Sequence, residues 1–200
     1  MPHAIFVETG LDDGETVAAY AAELPGCAVF AATDAEATGE MPRRVAWFTD
    51  WLRSASEEAP SFVGDNWYEV ERAHAARTPD GARRAAFSLD DLPPSGDEFS
   101  RFLRWLELAR DELAQALDRT DAPAAWLEVI TRQDVGLAAT LGASFVELHG
   151  EPLDRLYQAR DGLTAALEAA GANGDGVRRA IRLGIADDLR LADRLRGAGA

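Results

Sequence analysis

The sequence predicts an α+β fold in two parts, a small β-sheet/helix domain followed by an up-down four-helix bundle. Three observations carry that reading. Leu24-Pro25-Gly26-Cys27, a short apolar run and then Thr33-Asp34-Ala35-Glu36-Ala37 spell a strand end, a tight turn, a second strand and a helix start. From Asp97 onward, apolar residues recur at steps of three and four, the period of amphipathic helices. Between these textures lie Thr78-Pro79-Asp80-Gly81 and Asp90-Asp91-Leu92-Pro93-Pro94-Ser95-Gly96, two clusters of turn formers and helix breakers. The expected organisation is therefore a domain over 1–89, a linker over 90–96 and a bundle over 97–200.

In the first part, residues 3–9 read as a strand, 10–15 as an Asp- and Gly-rich turn, and Thr16 to Glu23 as the next strand. Pro25 presets φ and Gly26 accepts a positive one, so the pair forms a turn that leads into a third strand, Cys27 to Ala32. Thr33 with Glu36 has the spacing of a capping box. The helix that follows, about Asp34 to Ser54, aligns Ala37, Met41, Val45, Phe48 and Leu52, and Pro42 must bend or restart it because proline has no N–H to donate. Trp67 to Ala73 alternates as a further strand, and Arg83 to Leu89 has room for one more. In the second part, four helices fall over about 97–118, 124–149, 151–170 and 176–196. Breaks at Thr120–Pro123, Gly150–Pro152 and Gly171–Gly174 imply short loops, and short loops imply antiparallel neighbours. Representative stripes are Phe102, Leu106 and Leu113; Trp126, Ile130, Leu137, Leu141, Phe145 and Leu148; Leu156, Tyr157 and Leu163; and Ile181, Ile185 and Leu195.

Composition removes several function classes. The 200 residues carry 35 acidic and 20 basic side chains, a net charge of −15, which argues against general nucleic-acid binding or an anionic-membrane surface. The one cysteine permits no intrachain disulfide and no cysteine-based zinc site, and Cys27 reads as a small buried hydrophobe. No apolar run approaches the roughly 20 residues of a membrane span, and the first residues lack a secretory pattern, so a cytoplasmic protein is expected. The Gly-rich Gly171–Gly176 stretch follows a helix and carries Asp175, which would repel phosphate. Trp47 and Trp51, four apart on one helix, and Trp105 and Trp126 within the bundle read as packing rather than as a ligand site.

The LPGC turn, strand and T-x-E helix start, with Pro42 preceding Trp51-Leu52, resemble the HicB-like antitoxin domain. In such antitoxins the α/β module binds and blocks a small RNA-cleaving toxin; here no DNA-binding tail is recognisable, which makes an antitoxin-like role the lesser alternative. Ala86-Phe87-Ser88-Leu89-Asp90-Asp91-Leu92-Pro93 and the helices Leu106–Leu117 and Leu156–Leu167 resemble the DinB-like bundle family. That resemblance implies a divalent metal on three histidines, one from the second helix and a pair four apart on the fourth. His3, His74 and His149, the histidines of this chain, stand outside those positions, and Leu191 occupies one of them. His149 reads instead as a residue closing the second helix near its C-terminal dipole.

The resulting expectation is a non-enzymatic interaction or small-ligand-binding protein with a degenerate DinB-like metal site. No catalytic, cofactor or metal residue is assigned, no cofactor is expected, and the partner is a protein, a small polar ligand or a second copy. The alternative is a divergent metal-dependent transferase or hydrolase. One constellation stands out. Asp134 lies between Ile130 and Leu137, Arg160 between Tyr157 and Leu163, and Asp188 between Ile185 and Ala192, each where an apolar residue belongs. Unpaired buried charge is expensive, so the three are expected to meet near the bundle axis. A buried ion cluster that fixes helix register is favoured over a polar pocket that takes a ligand.

Overall fold

The computed structural model describes residues 3–60, 66–77, 83–144 and 147–198, which form a mixed α+β chain. It divides into two compact units. Of the described residues, the first holds 3–60, 66–76 and 83–89, and the second holds 77, 90–144 and 147–198. The Thr78–Gly81 cluster and Phe145 lie outside the described residues. Among the described residues, no helix is long and apolar enough to cross a membrane.

The first unit is built on a four-stranded sheet in the order β3-β2-β1-β4, with β1 His3–Leu11, β2 Thr16–Ala21, β3 Ala28–Ala31 and β4 Trp67–His74. β1 pairs antiparallel with β2 (Ile5 opposite Ala21) and β2 antiparallel with β3 (Val17 opposite Ala31), whereas β4 joins the far side of β1 in parallel (His3 opposite Trp67). A parallel partner needs a crossover, and the helices between β3 and β4 supply it. The β2–β3 turn is closed by Cys27 N–H donating to Leu24 O at 2.9 Å, with Gly26 at φ +84°, the type II geometry that Pro-Gly favours. Thr33 caps the next helix by accepting from Glu36 N–H at 3.3 Å. That helix does not run unbroken to Ser54. α1 spans Asp34–Gly39 and α2 Met41–Ser54, because Pro42 is tolerated in a first helical turn and not in an interior. Met41, Val45, Phe48 and Leu52 of α2 are buried, as are Ile5, Val7 and Ala19 of the sheet.

Arg83 to Leu89 forms less strand than expected. Ala76–Arg77 (β5) and Arg83–Arg84 (β6) are two-residue strands, and Ser88–Asp91 turns as a 3-10 helix. Two carboxylates of the sheet hold this segment. Buried Glu8 accepts from Ala85 N–H and, at 2.6 Å, from Tyr20 O–H, while Glu71 accepts from the Ser88 N–H and hydroxyl at 2.7–3.1 Å. Phe87 then stacks on Phe6 at a centroid distance of 4.9 Å. Cys27 is fully buried, and burial pushes its thiol up to about 12, so it is protonated and unreactive at neutral pH.

The second unit consists of α3 Gly96–Leu117, α4 Ala124–Thr140, α5 Pro152–Ala170 and α6 Val177–Ala198. Ser95 and Glu98 form a reciprocal capping box at the start of α3. α4 stops nine residues before its expected end at 149. Gly142 takes φ +86°, and the N–H groups of Leu141, Gly142 and Ala143 turn back to the last helical carbonyls, so the chain leaves the helix there. His149 consequently closes no helix. It is exposed, and its backbone N–H and C=O are both bonded to the Gln158 side chain, at 3.1 and 2.7 Å.

The early stop changes the topology. α3 packs along α6 and α4 along α5. Glu98 pairs with Arg178 and Glu112 with Arg196, so residue numbers rise together along α3 and α6, which are parallel. Glu128 pairs with Arg155 and Asp134 with Arg160, so α4 and α5 are parallel as well. Leu127 and Ile130 at the start of α4 share a core with Leu191 and Leu195 at the end of α6, so those two helices are antiparallel. The order is up, down, down, up rather than the alternating up-down expected. Between Thr140 and Pro152 the chain must travel back along α4. Its extended reach of roughly 36–40 Å exceeds the about 25 Å of a 17-residue helix. Tyr157, expected in the core stripe of α5, is 43% exposed.

Candidate functional site

Each helix of the second unit sends one long or charged side chain inward at the same level. On α4, Leu127, Ile130, Thr131, Asp134 and Ala138 are buried, so Asp134 sits in the middle of that helix's inner face. On α5 the inner residues are Leu156, Ala159, Arg160, Leu163 and Leu167, and on α6 Asp188 lies between buried Ile185 and Leu191. The structure brings Asp134, Arg160 and Asp188 together, with exposures of 5%, 3% and 3%. Arg160 Nη2 donates to Asp188 Oδ1, and Arg160 Nε lies 3.8 Å from Asp134 Oδ2. The second distance is an ion pair without a hydrogen bond, and neither Arg160 Nε nor Asp134 Oδ2 has a hydrogen-bond partner.

α3 contributes a fourth member. Arg110 donates through Nη1 to Thr164 Oγ1, whose hydroxyl donates in turn to Arg160 C=O at 3.1 Å. Arg110 was not singled out in the sequence, although it interrupts the stripe from Leu106 to Leu113 in the way Asp134 interrupts its own. The same polar-break rule, applied to α3, finds it. Asp187, 6% exposed, adds further negative charge beside the cluster.

The electrostatics follow from burial. Asp134 is pushed up to about 7, first by loss of solvation and then by the negative charge of Asp188, with Arg160 and Arg110 pulling the other way. Burial also raises Asp188, against the opposing pull of Arg160. Burial holds Arg110 below the ordinary guanidinium value, opposed by Asp134 and Asp188. Arg160 and Arg110 therefore both act on the two carboxylates, and of the two only Asp188 has a hydrogen bond from Arg160.

A second buried pair lies elsewhere in the same unit. Asp90, placed in the linker by the sequence reading, is 5% exposed and accepts from Arg182 Nε and Nη2 at 3.0 and 2.6 Å. Arg178 Nε donates to Leu92 C=O at 3.0 Å, so residues 90–96 are fastened along α6 rather than hanging free. No periodicity marks Asp90 in the sequence, since its partner is far along the chain.

A cavity of about 330 Å³ opens between α4 and α5. It is walled by small residues such as Ala138, Gly142, Ala159, Gly162 and Ala166, and among the described residues no charged side chain lines it; neither Asp134 nor Arg160 is in its wall. The ion cluster and the cavity are thus separate features. Of the tryptophans, Trp105 is 1% exposed and packs on Phe102 at 5.4 Å, while Trp47 and Trp51 stack on each other at 5.9 Å on α2.

The residues do not fit a three-histidine divalent site. His3 and His74 belong to the sheet unit, His149 is exposed, and Leu191 is buried in apolar packing. The position between the two carboxylates is already filled by the Arg160 guanidinium, which repels a metal cation. Among the described residues, no group of three or more His, Cys, Asp or Glu side chains is placed to hold a metal. Compared with protein-family models, curated proteins and solved structures, the chain matches none.

Proposed function

We propose that the chain is a non-enzymatic interaction or small-ligand-binding protein, made of a HicB-like sheet unit and a DinB-like helical bundle whose metal site has degenerated. The observation that carries this reading is Arg160 lodged between Asp134 and Asp188. A fixed guanidinium at that point does the charge-neutralising work of a cation and leaves no open coordination position for a reacting group. The Pro-Gly turn with its capped helix supports the reading of the sheet unit. The uncharged cavity between α4 and α5 favours the ligand-binding arm, with a small neutral apolar molecule as the class that its wall would accept.

Two measurements test the proposal. Protein purified without chelator is expected to carry no stoichiometric nickel, zinc or manganese after dialysis; about one transition-metal ion per chain would overturn the reading in favour of a metal-dependent enzyme. Titration with the neutral fluorophore N-phenyl-1-naphthylamine is expected to give saturable binding that Gly162→Leu abolishes. An unchanged titration in that variant removes the cavity from the argument.

A further inference from the structure

We propose that Asp134 is a proton-binding site of the helical unit, a carboxylic acid kept neutral by its neighbours, and that its ionisation loosens α4. The geometry carries the inference. Asp134 sits in the centre of the inner face of α4, 5% exposed, and the hydrogen bond that Arg160 makes to a carboxylate, through Nη2, goes to Asp188. The remaining approach, Arg160 Nε at 3.8 Å, is too long for a hydrogen bond. An ionised Asp134 therefore has an unsatisfied buried oxygen, Oδ2, and shares one guanidinium with a second carboxylate. A protonated Asp134 removes one of two like charges and supplies an O–H donor in the same place.

The charged groups around Asp134 come from all four helices. α3 presents Arg110, already bonded to Thr164. α5 presents Arg160, with Asp161 acting on Arg110, and α6 presents Asp188 and Asp187. On α4 itself Glu128 is occupied by Arg155. Two cations, Arg110 and Arg160, thus face Asp134, Asp161, Asp187 and Asp188, and Asp134 Oδ2 has no hydrogen bond from either cation. Burial and the negative charge of Asp188 accordingly raise it to about 7, inside the physiological range.

The direction of the effect follows from linkage. An acid that holds its proton more tightly in the folded state contributes its full stability below its unfolded value, near 4, and loses that contribution as pH climbs through its folded value, near 7. α4 is the helix that carries the group, and its first turn has no side-chain cap to compensate. Raising the pH from 5 to 7 should therefore open α4.

The test is hydrogen exchange of the full chain, read on peptides from 124–140 between pH 5 and 8 and corrected for the intrinsic pH dependence of exchange. One linked proton predicts that the opening constant rises by up to about tenfold per pH unit and levels off above pH 7. Asp134→Asn, which imitates the neutral acid, is expected to lack this rise. A wild-type profile that stays flat, or an Asn variant with the same slope, overturns the proposal. Carbon-13 titration of the Asp134 carboxyl in the wild-type chain gives an answer that needs no variant. A carboxyl still protonated at pH 5 supports the inference, and one already ionised there overturns it.

Discussion

The two units bury carboxylates in opposite ways. In the sheet unit Glu8 is wholly buried, and both of its oxygens are met by neutral donors, the Tyr20 hydroxyl and the Ala85 N–H. In the helical unit Asp134 and Asp188 are met chiefly by a single guanidinium, and one oxygen is left over. The first arrangement spends one carboxylate to fasten a returning segment to a sheet edge-on, with fixed hydrogen bonds. The second holds three helices by charge, and its balance shifts with every proton or charge removed. A satisfied polar network fixes its members by hydrogen-bond geometry, whereas a network short of one donor ties stability to protonation.

That contrast can be broken most forcefully at its cation. Arg160→Met leaves Asp134 and Asp188 buried without their shared partner, and the expected loss is about 3–5 kcal/mol, the scale for removing one side of a buried pair. Denaturant unfolding followed by far-ultraviolet circular dichroism measures it. The loss should be greater at pH 8 than at pH 5, since a neutral Asp134 no longer repels Asp188. An equally stable variant at both pH values would mean that the cluster contributes nothing to holding the helices together.

The sheet-unit counterpart is expected to be milder. Glu8→Gln keeps the shape but turns one acceptor into an N–H₂ group facing a donor, at a cost of about 1.5–3 kcal/mol. Tyr20→Phe removes only one donor and should cost about 1–2 kcal/mol. Thermal unfolding of both variants at pH 5 and pH 8 sharpens the comparison. A loss in Glu8→Gln as large as that in Arg160→Met would erase the distinction between the two units.

How much of this was legible beforehand depends on the range over which each signal acts. The Pro25-Gly26 turn and the Thr33 cap act over four residues, so the local sequence states them outright. Helical periodicity placed α3, α5 and α6 to within two residues but misread the end of α4. Leu141, Phe145 and Leu148 continue the helical spacing past Gly142, so the pattern extends although the backbone turns off at φ +86°. A helix running on to 149 implies a loop too short for parallel neighbours, whereas α4 and α5 are parallel. Asp134, Arg160 and Asp188 were legible as polar breaks in apolar stripes, and Arg110 obeys the same rule. Asp90 and Glu8 were not, because what makes them tolerable inside, Arg182 for one and Ala85 for the other, lies more than seventy residues away in the chain.

Backbone space supplies the smaller effects, and again the two units differ. Gly10 of β1 has φ +80°, and a Cβ there would overlap the His74 ring, which lies beside the Thr9 hydroxyl at 3.2 Å. Gly10→Ala therefore meets both strain and overlap and should cost about 1–3 kcal/mol. Gly184 of α6 has ordinary helical geometry, and a Cβ there would stand 3.0 Å from the Leu106 terminal methyl and 3.9 Å from that of Leu163. Alanine gains about 1 kcal/mol of helix propensity over glycine, but Leu106 and Leu163 are 2% and 0% exposed and have little room to retreat. Overpacking of this kind costs about 1–3 kcal/mol, so the net expectation for Gly184→Ala is a loss of up to about 2 kcal/mol. The sign should reverse once the obstructing methyl is gone: Leu106→Ala with Gly184→Ala is expected to be more stable than Leu106→Ala alone. A double-mutant cycle with no coupling between the two positions would show that Gly184 is not the contact that sets the approach of α3 to α6.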